Sequence, residues 1–198
     1  MTETPQFVAG VLLAAGAGTR FGGDKLLHPL DDGVAIAAHA ARNLLAVLPD
    51  VVAVVRWGDF PLYDMLEQEG CQVTMFRDAA HGMGASLAHA IAQARGADGW
   101  VVALADMPGV RPETIQRVVE ALKGGALIAA PVYQGTRGHP VGFHASLRDE
   151  LVALHGDSGA RSLLKRHRDS VTHIECDDPG VLFDVDRRSD VEKAGGSA

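Results

Sequence analysis

The stretch "VLLAAGAGTRFGGDKLL", residues 11–27, decides how the rest of the chain is read. It begins as an apolar run with the pattern of a buried strand, then breaks into a loop holding Gly16, Gly18, Gly22 and Gly23, with Arg20, Asp24 and Lys25 among and after them. Glycine loses more backbone entropy on folding than any other residue, so a cluster of them implies a chain that turns tightly or lies against something. Successive amide N–H groups in such a loop can curl around anionic oxygens. Arg20 can fork onto those oxygens and Lys25 can add a compact point charge. The residue types point to a polyphosphate.

Outward from this loop, apolar runs alternate with segments of helical period. Strands are predicted at 7–15, 51–56, 71–76, 99–105 and 126–133, and helices at 34–47, 60–70, 83–95 and 111–122, the last with Pro112 in its first turn. Beyond residue 133 the pattern is less regular. The segments 147–156 and 159–167 look helical, and "VTHIEC" and "VLFDVD" look like short strands. Strand–helix alternation with near-continuous Val, Ile, Leu and Ala predicts an α/β fold, a mostly parallel sheet covered on both faces. With 198 residues and no internal repeat or linker, a single domain is expected, its core spanning about residues 7–194.

Composition excludes some classes of function. The formal net charge of −7 and the lack of a basic tract argue against nucleic acid as a partner. No apolar run is long enough to span a bilayer, and "MTETPQF" lacks the basic start and apolar core of a signal peptide, so a cytoplasmic location is expected. Cys71 and Cys176 lie far apart without metal-ligand spacing and read as free thiols.

Two common phosphate motifs fail on inspection. A Walker loop would use the spacing of Gly18 and Gly23, but Asp24 stands where its lysine belongs and Leu26 follows Lys25, leaving no hydroxyl for a metal. A dinucleotide fingerprint would use Gly16 and Gly18, but Phe21 replaces the third glycine and "VVAVVR" ends without an acidic residue. The loop resembles instead the signature L-A-A-G-x-G-x-R-x-G-x-x-K of nucleotidyltransferases that activate small phosphorylated molecules. That resemblance implies nucleotide contacts from Leu13, Ala14, Ala15, Gly16 and Gly18, with Arg20 and Lys25 on the triphosphate.

A triphosphate beside a second anion needs charge neutralisation, and Mg²⁺ held by one or two carboxylates is the usual means. Asp106, where "VVALAD" ends, is the first candidate ligand. "FDVDRRSD" supplies the second, Asp186, with Asp184 on the same side of the expected strand by the two-residue period. Gly82, Gly84 and Ser86, ahead of a predicted helix, are further candidates for nucleotide contact through backbone N–H groups. The family's late metal motif, commonly D-x-D-T-P-E-D, reads "DVDRRSD" here, keeping both aspartates.

Three more stretches carry the resemblance: "LADMP", R-G-H-P at 137–140 and G-D-x-G-A-R at 156–161. Together with the first loop and "DDPGVLFDVD" they are similar to the molybdenum cofactor cytidylyltransferase group of the MobA-like family. The resemblance implies a three-layer α/β/α, Rossmann-like nucleotidyltransferase fold. It implies transfer of CMP from CTP to the phosphate of a molybdopterin-type cofactor, with Mg²⁺ as cofactor and a molybdoenzyme or insertion chaperone as protein partner. "LAAG", where the GMP-transferring relatives read L-A-G-G, favours CTP. Arg137 and Arg161 are forked cations suited to the acceptor's phosphate, and His139 either touches the acceptor or orients its loop. The residues themselves leave open another nucleotide or acceptor, such as GTP or a sugar or polyol phosphate. They also leave open a nucleotide-binding reductase on the same fold and a noncatalytic insertion chaperone.

Overall fold

Strand β1 (Val8–Ala14) is buried on both faces, and its residues alternate between two cores. Val8, Leu12 and Ala14 point to one, Ala9 and Val11 to the other. The same alternation runs through β2 (Val51–Arg56) and β4 (Gly99–Leu104), which explains why these strands read as unbroken apolar runs. Helices α1 (Ile36–Leu45), α2 (Phe60–Gln68) and α4 (Pro112–Lys123) cover the first face. Helices α3 (Met83–Gln93), α5 (Arg148–Val152) and α6 (Arg161–Arg166) cover the second. The result is three layers around a central sheet. This computed structural model describes residues 7–16, 18, 20–157 and 159–192. Among them no helix is long and apolar enough to cross a membrane.

With β3 (Gln72–Phe76), β5 (Ile128–Tyr133), β6 (Thr136–Arg137), β7 (Val141–His144) and β8 (Val171–Glu175), the sheet order is β3-β2-β1-β4-β7-β5-β6, and β8 pairs with β5. Pairings among β1 to β4 are parallel, as is β5 with β8. Strand β7 runs antiparallel between β4 and β5, and β6 is antiparallel to β5.

Two expectations change. The segment 181–186 is not a strand: a 3-10 turn over Pro179–Leu182 leads into irregular chain. Its backbone groups are taken singly by different elements, with His139 N–H donating to the Val181 carbonyl and Val185 N–H to that of Asp106, so no ladder forms. The helix expected at 147–156 stops at Val152, because His155 and Gly156 turn away to pack against Gly82 and Gly84.

Register fixes which strand ends meet. Leu13 pairs with Leu104, Ala14 with Val55, and Arg56 with Phe76. The residues that follow β1, β2, β3 and β4 therefore leave the sheet at one level along one edge, where ligands settle in open α/β sheets.

Candidate active site

The glycine loop leaves β1 at this edge. Gly18 has φ of +56°, a left-handed conformation in which a side chain would be strained, and its carbonyl accepts from Phe21 N–H at 3.0 Å to close a turn. Phe21 is buried and anchors the loop in a small cluster with Leu30, Ile36 and Val185. That cluster places residues near the start of the chain against a residue near its end. Arg188 lies over the Phe21 ring at 5.5 Å from its centroid.

Val185 separates two acids. With Val185 buried and its N–H on the Asp106 carbonyl at 2.8 Å, Asp184 and Asp186 both turn towards Asp106. Each of the three carboxylates offers an oxygen within 4.8 Å of the other two. Asp190 holds the backbone beneath them by accepting from the N–H groups of Asp186 and Arg187. The expected juxtaposition of Asp184 and Asp186 thus exists without the strand. Oxygen-only donors at this spacing fit a hard divalent cation.

The crowd of anions is answered by the loop's cations. Lys25 Nζ lies 2.7 Å from Asp106 Oδ2 and 3.7 Å from Asp186 Oδ1, and its side chain is almost buried. Arg20 Nη1 donates to Asp186 Oδ2 at 2.8 Å. Partial burial, and then the charges of Asp106 and Asp186, raise the carboxyl of Asp184 above the ordinary range.

Beside the carboxylates a cavity of about 850 Å³ opens along the strand ends. Leu13, Ala15, Gly16, Gly18, Lys25, Gly82, Ser86 and Asp106 line it. Other candidates fall elsewhere. Ala14 faces the core beneath the loop, and Arg20 is exposed on Asp186. The Gly84 N–H donates to the Gly156 carbonyl at 2.8 Å, and a side chain at Gly84 would strike His155 and Gly156, so this amide serves packing.

Arg137 on β6 and Arg161 at the start of α6 are both exposed. Their charges reach His139, whose ring burial pushes down to about 4, with Arg137 adding to the fall and Asp106 opposing it. His139 Nδ1 is buried and has no hydrogen-bond partner among the described residues. Gly138 beside it lies so close to the Val181 backbone that a Cβ would overlap the carbonyl oxygen.

Sequence reasoning missed the far end of the cavity, formed by Arg56, Trp57, Asp59 and Arg77. The strand-end rule applied to β2 and β3 would have found Arg56 and Arg77. It also missed Asp178, a buried acid that accepts from Arg111 N–H, Thr114 Oγ1 and Gly180 N–H, and so ties the late segment to the start of α4.

A glycine loop, a lysine on a strand-end aspartate and two late aspartates meet at this one edge of the sheet. The profile of the MobA-like NTP transferase domain matches residues 10–171. The chain belongs to that family. It is 32% identical over 188 residues to nicotine blue oxidoreductase of Paenarthrobacter nicotinovorans, covering 90% of this chain and 92% of that protein. It is 29% identical over 191 residues to the purine catabolism protein PucB of Bacillus subtilis, covering 91% and 92%. The crystal structure of Rv0371c from Mycobacterium tuberculosis superposes with a TM-score of 0.83 at 30% identity over 98% of each chain. A second structure of that protein, in complex with manganese, gives 0.81 at 28% identity, covering 98% of this chain and 100% of that one.

Proposed function

We propose that this MobA-like chain is a divalent-metal-dependent nucleotidyltransferase that joins CMP from CTP to the phosphate of a molybdopterin-type cofactor and releases pyrophosphate. The observation that carries the reading is the convergence of Asp106, Asp184 and Asp186 on one another, with Asp106 and Asp186 held by the two cations of the glycine loop. The manganese complex of Rv0371c supports a divalent metal in the reading.

In this reading the loop binds the triphosphate through its backbone N–H groups, and Lys25 and Arg20 transfer from their carboxylates to phosphate oxygens. Mg²⁺, or Mn²⁺ in its place, held by Asp106 and Asp186 with Asp184 beside them, would neutralise charge on the phosphates. An acceptor phosphate oxygen attacks the α-phosphorus. The bond to the β-phosphate oxygen breaks, and pyrophosphate departs with that electron pair. A phosphate monoester has a second pKa of about 6, so its oxygen is already ionised near neutrality and needs no base. His139 is uncharged there and supplies no imidazolium proton. Arg137 and Arg161 would receive the acceptor's phosphate, and positioning with charge neutralisation supplies the acceleration.

A second reading has one observation in its favour, the similarity to nicotine blue oxidoreductase. Hydride transfer has no use for three convergent carboxylates, and Phe21 interrupts the dinucleotide fingerprint. Pyrophosphate release measured across a panel of nucleoside triphosphates, with and without molybdopterin, tests the proposal, and titration with NADPH against CTP–Mg²⁺ tests the alternative. Release with CTP and molybdopterin, abolished in a folded Asp106→Ala variant, is expected. NADPH binding without release from any nucleotide would overturn the transferase reading.

A further inference from the structure

The cavity has two ends, set by strand order. Asp106 follows β4 and the glycine loop follows β1, whereas Arg56 and Trp57 straddle the end of β2 and Arg77 follows β3. From β4 to β3 is three strand spacings, about 14 Å. If the triphosphate occupies the β4–β1 end, the nucleoside attached to it extends along the edge over β2 and β3.

That end holds a cation stacked on an aromatic ring. Arg20 and Lys25 are both engaged by carboxylates, but among the described residues no carboxylate pairs with Arg77. Its guanidinium carbon sits 3.7 Å from the centroid of the Trp57 ring. The Trp57 N–H donates to the Phe76 carbonyl at 3.1 Å, so the residue is tied to the strand that leads into Arg77. Stacking occupies a face of the guanidinium and leaves its N–H edges free in the plane. Arg56 is less available, since its Nη2 donates to the Ala15 carbonyl at 3.3 Å.

We infer that Arg77, held flat by Trp57, selects the nucleobase, accepting bases that present two adjacent acceptor atoms. This rests on the transferase reading of the site. A guanidinium edge offers two parallel donors and accepts nothing. Cytosine meets it with O2 and N3, and guanine with O6 and N7. Uracil places a donor at N3 beside O2, and adenine places its amino group beside N7 or N1. Each of the latter two sets an N–H against an N–H. The residue therefore favours CTP or GTP and opposes UTP and ATP.

The test is equilibrium binding, measured by calorimetry, of CTP, GTP, UTP, ATP and inorganic tripolyphosphate, each with Mg²⁺, to the full chain and to Arg77→Lys and Arg77→Ala. Trp57 is half exposed and Trp100 is buried, so ligand-dependent change in tryptophan fluorescence reports this end of the cavity. The full chain should prefer CTP or GTP over UTP and ATP by roughly five- to hundredfold, the range of a bidentate pair. Arg77→Lys keeps the charge and loses the fork, so it should flatten that preference while tripolyphosphate affinity stays within about twofold. Selectivity retained in Arg77→Lys, or an equal loss of tripolyphosphate and every nucleotide, would overturn the inference and assign Arg77 to packing or to phosphate. Failure of tripolyphosphate to bind the full chain would instead sink the underlying reading, so the two failures are distinguishable.

Discussion

Replacing Lys25 by Met should make the protein bind Mn²⁺ more tightly in the absence of nucleotide, although the same change should impair turnover. The ammonium lies 2.7 Å from Asp106 and 3.7 Å from Asp186, within the set of oxygens that would hold the metal. At an effective dielectric of about 20, a unit pair at the shorter distance attracts by about 6 kcal/mol. A divalent ion about 4 Å from the ammonium would be repelled by about 8 kcal/mol. Metal cannot enter until Lys25 leaves, and leaving forfeits the ion pair. Rehydration of the freed ammonium and of the part-exposed Asp106 returns much of that energy. A net penalty of about 1.5–3 kcal/mol remains, equivalent to roughly a ten- to hundredfold weaker metal affinity.

Met keeps the length and apolar stem of Lys25 and removes only the charge. Calorimetric or electron paramagnetic resonance titration with Mn²⁺ should therefore show the variant binding roughly ten- to hundredfold more tightly than the full-charge protein, with a thermal melt confirming the fold. Tripolyphosphate affinity should fall at the same time. Equal or weaker Mn²⁺ binding by Lys25→Met would refute the exchange, because the ammonium would then not be competing with the ion.

The geometry sets three further outcomes. A methyl group at Gly180 would overlap the Gly109 carbonyl, so Gly180→Ala should lower stability by about 1–3 kcal/mol in urea unfolding and weaken Mn²⁺ binding by displacing the segment that carries Asp184 and Asp186. His139 titrates at about 4 in the folded chain against 6.5 ordinarily, so below 6.5 the unfolded chain takes up a proton that the folded one refuses. Stability is complete above 6.5 and falls towards pH 4 by up to about 3 kcal/mol, and His139→Gln should flatten that slope in urea midpoints. Burial raises the Cys71 thiol to about 11 from 9.0, so the unfolded chain ionises first and stability falls as pH rises between those values. A thiol reagent should accordingly modify the partly exposed Cys176 before Cys71, and Cys71 only on unfolding.

Strands β1, β2 and β4 were legible because a strand buried on both faces is apolar at nearly every position. Asp106 was legible because a parallel strand's carboxyl end is where a ligand can approach. Strand β7 was not, since "VGFH" is four residues long, with a glycine and a histidine that carry no strand signal. The early end of α5 depended on Gly82 and Gly84 admitting the backbone of His155 and Gly156, a contact between segments far apart in sequence. The stacking of Arg77 on Trp57 was invisible for a related reason. It depends on the register of β2 with β3, and a single sequence does not state a register.

The late aspartates show how a correct placement can arise from an incorrect element. Alternation in "FDVD" requires only that consecutive side chains leave an extended backbone on opposite sides, and a strand is one way to extend it. Here the buried Val185 does so, with its N–H on Asp106 and its side chain against Phe21. The same residue thereby sets the spacing between the carboxylates and the glycine loop. Without ligand, three acids drawn together would repel, as would two cations curled into one loop. Each group holds the other in place, through Lys25 on Asp106 and Arg20 on Asp186. A ligand able to separate them must bring both charges at once, anionic oxygens for the loop and a cation for the acids. A metal–triphosphate complex does so as a unit, whereas either component alone leaves one set uncompensated.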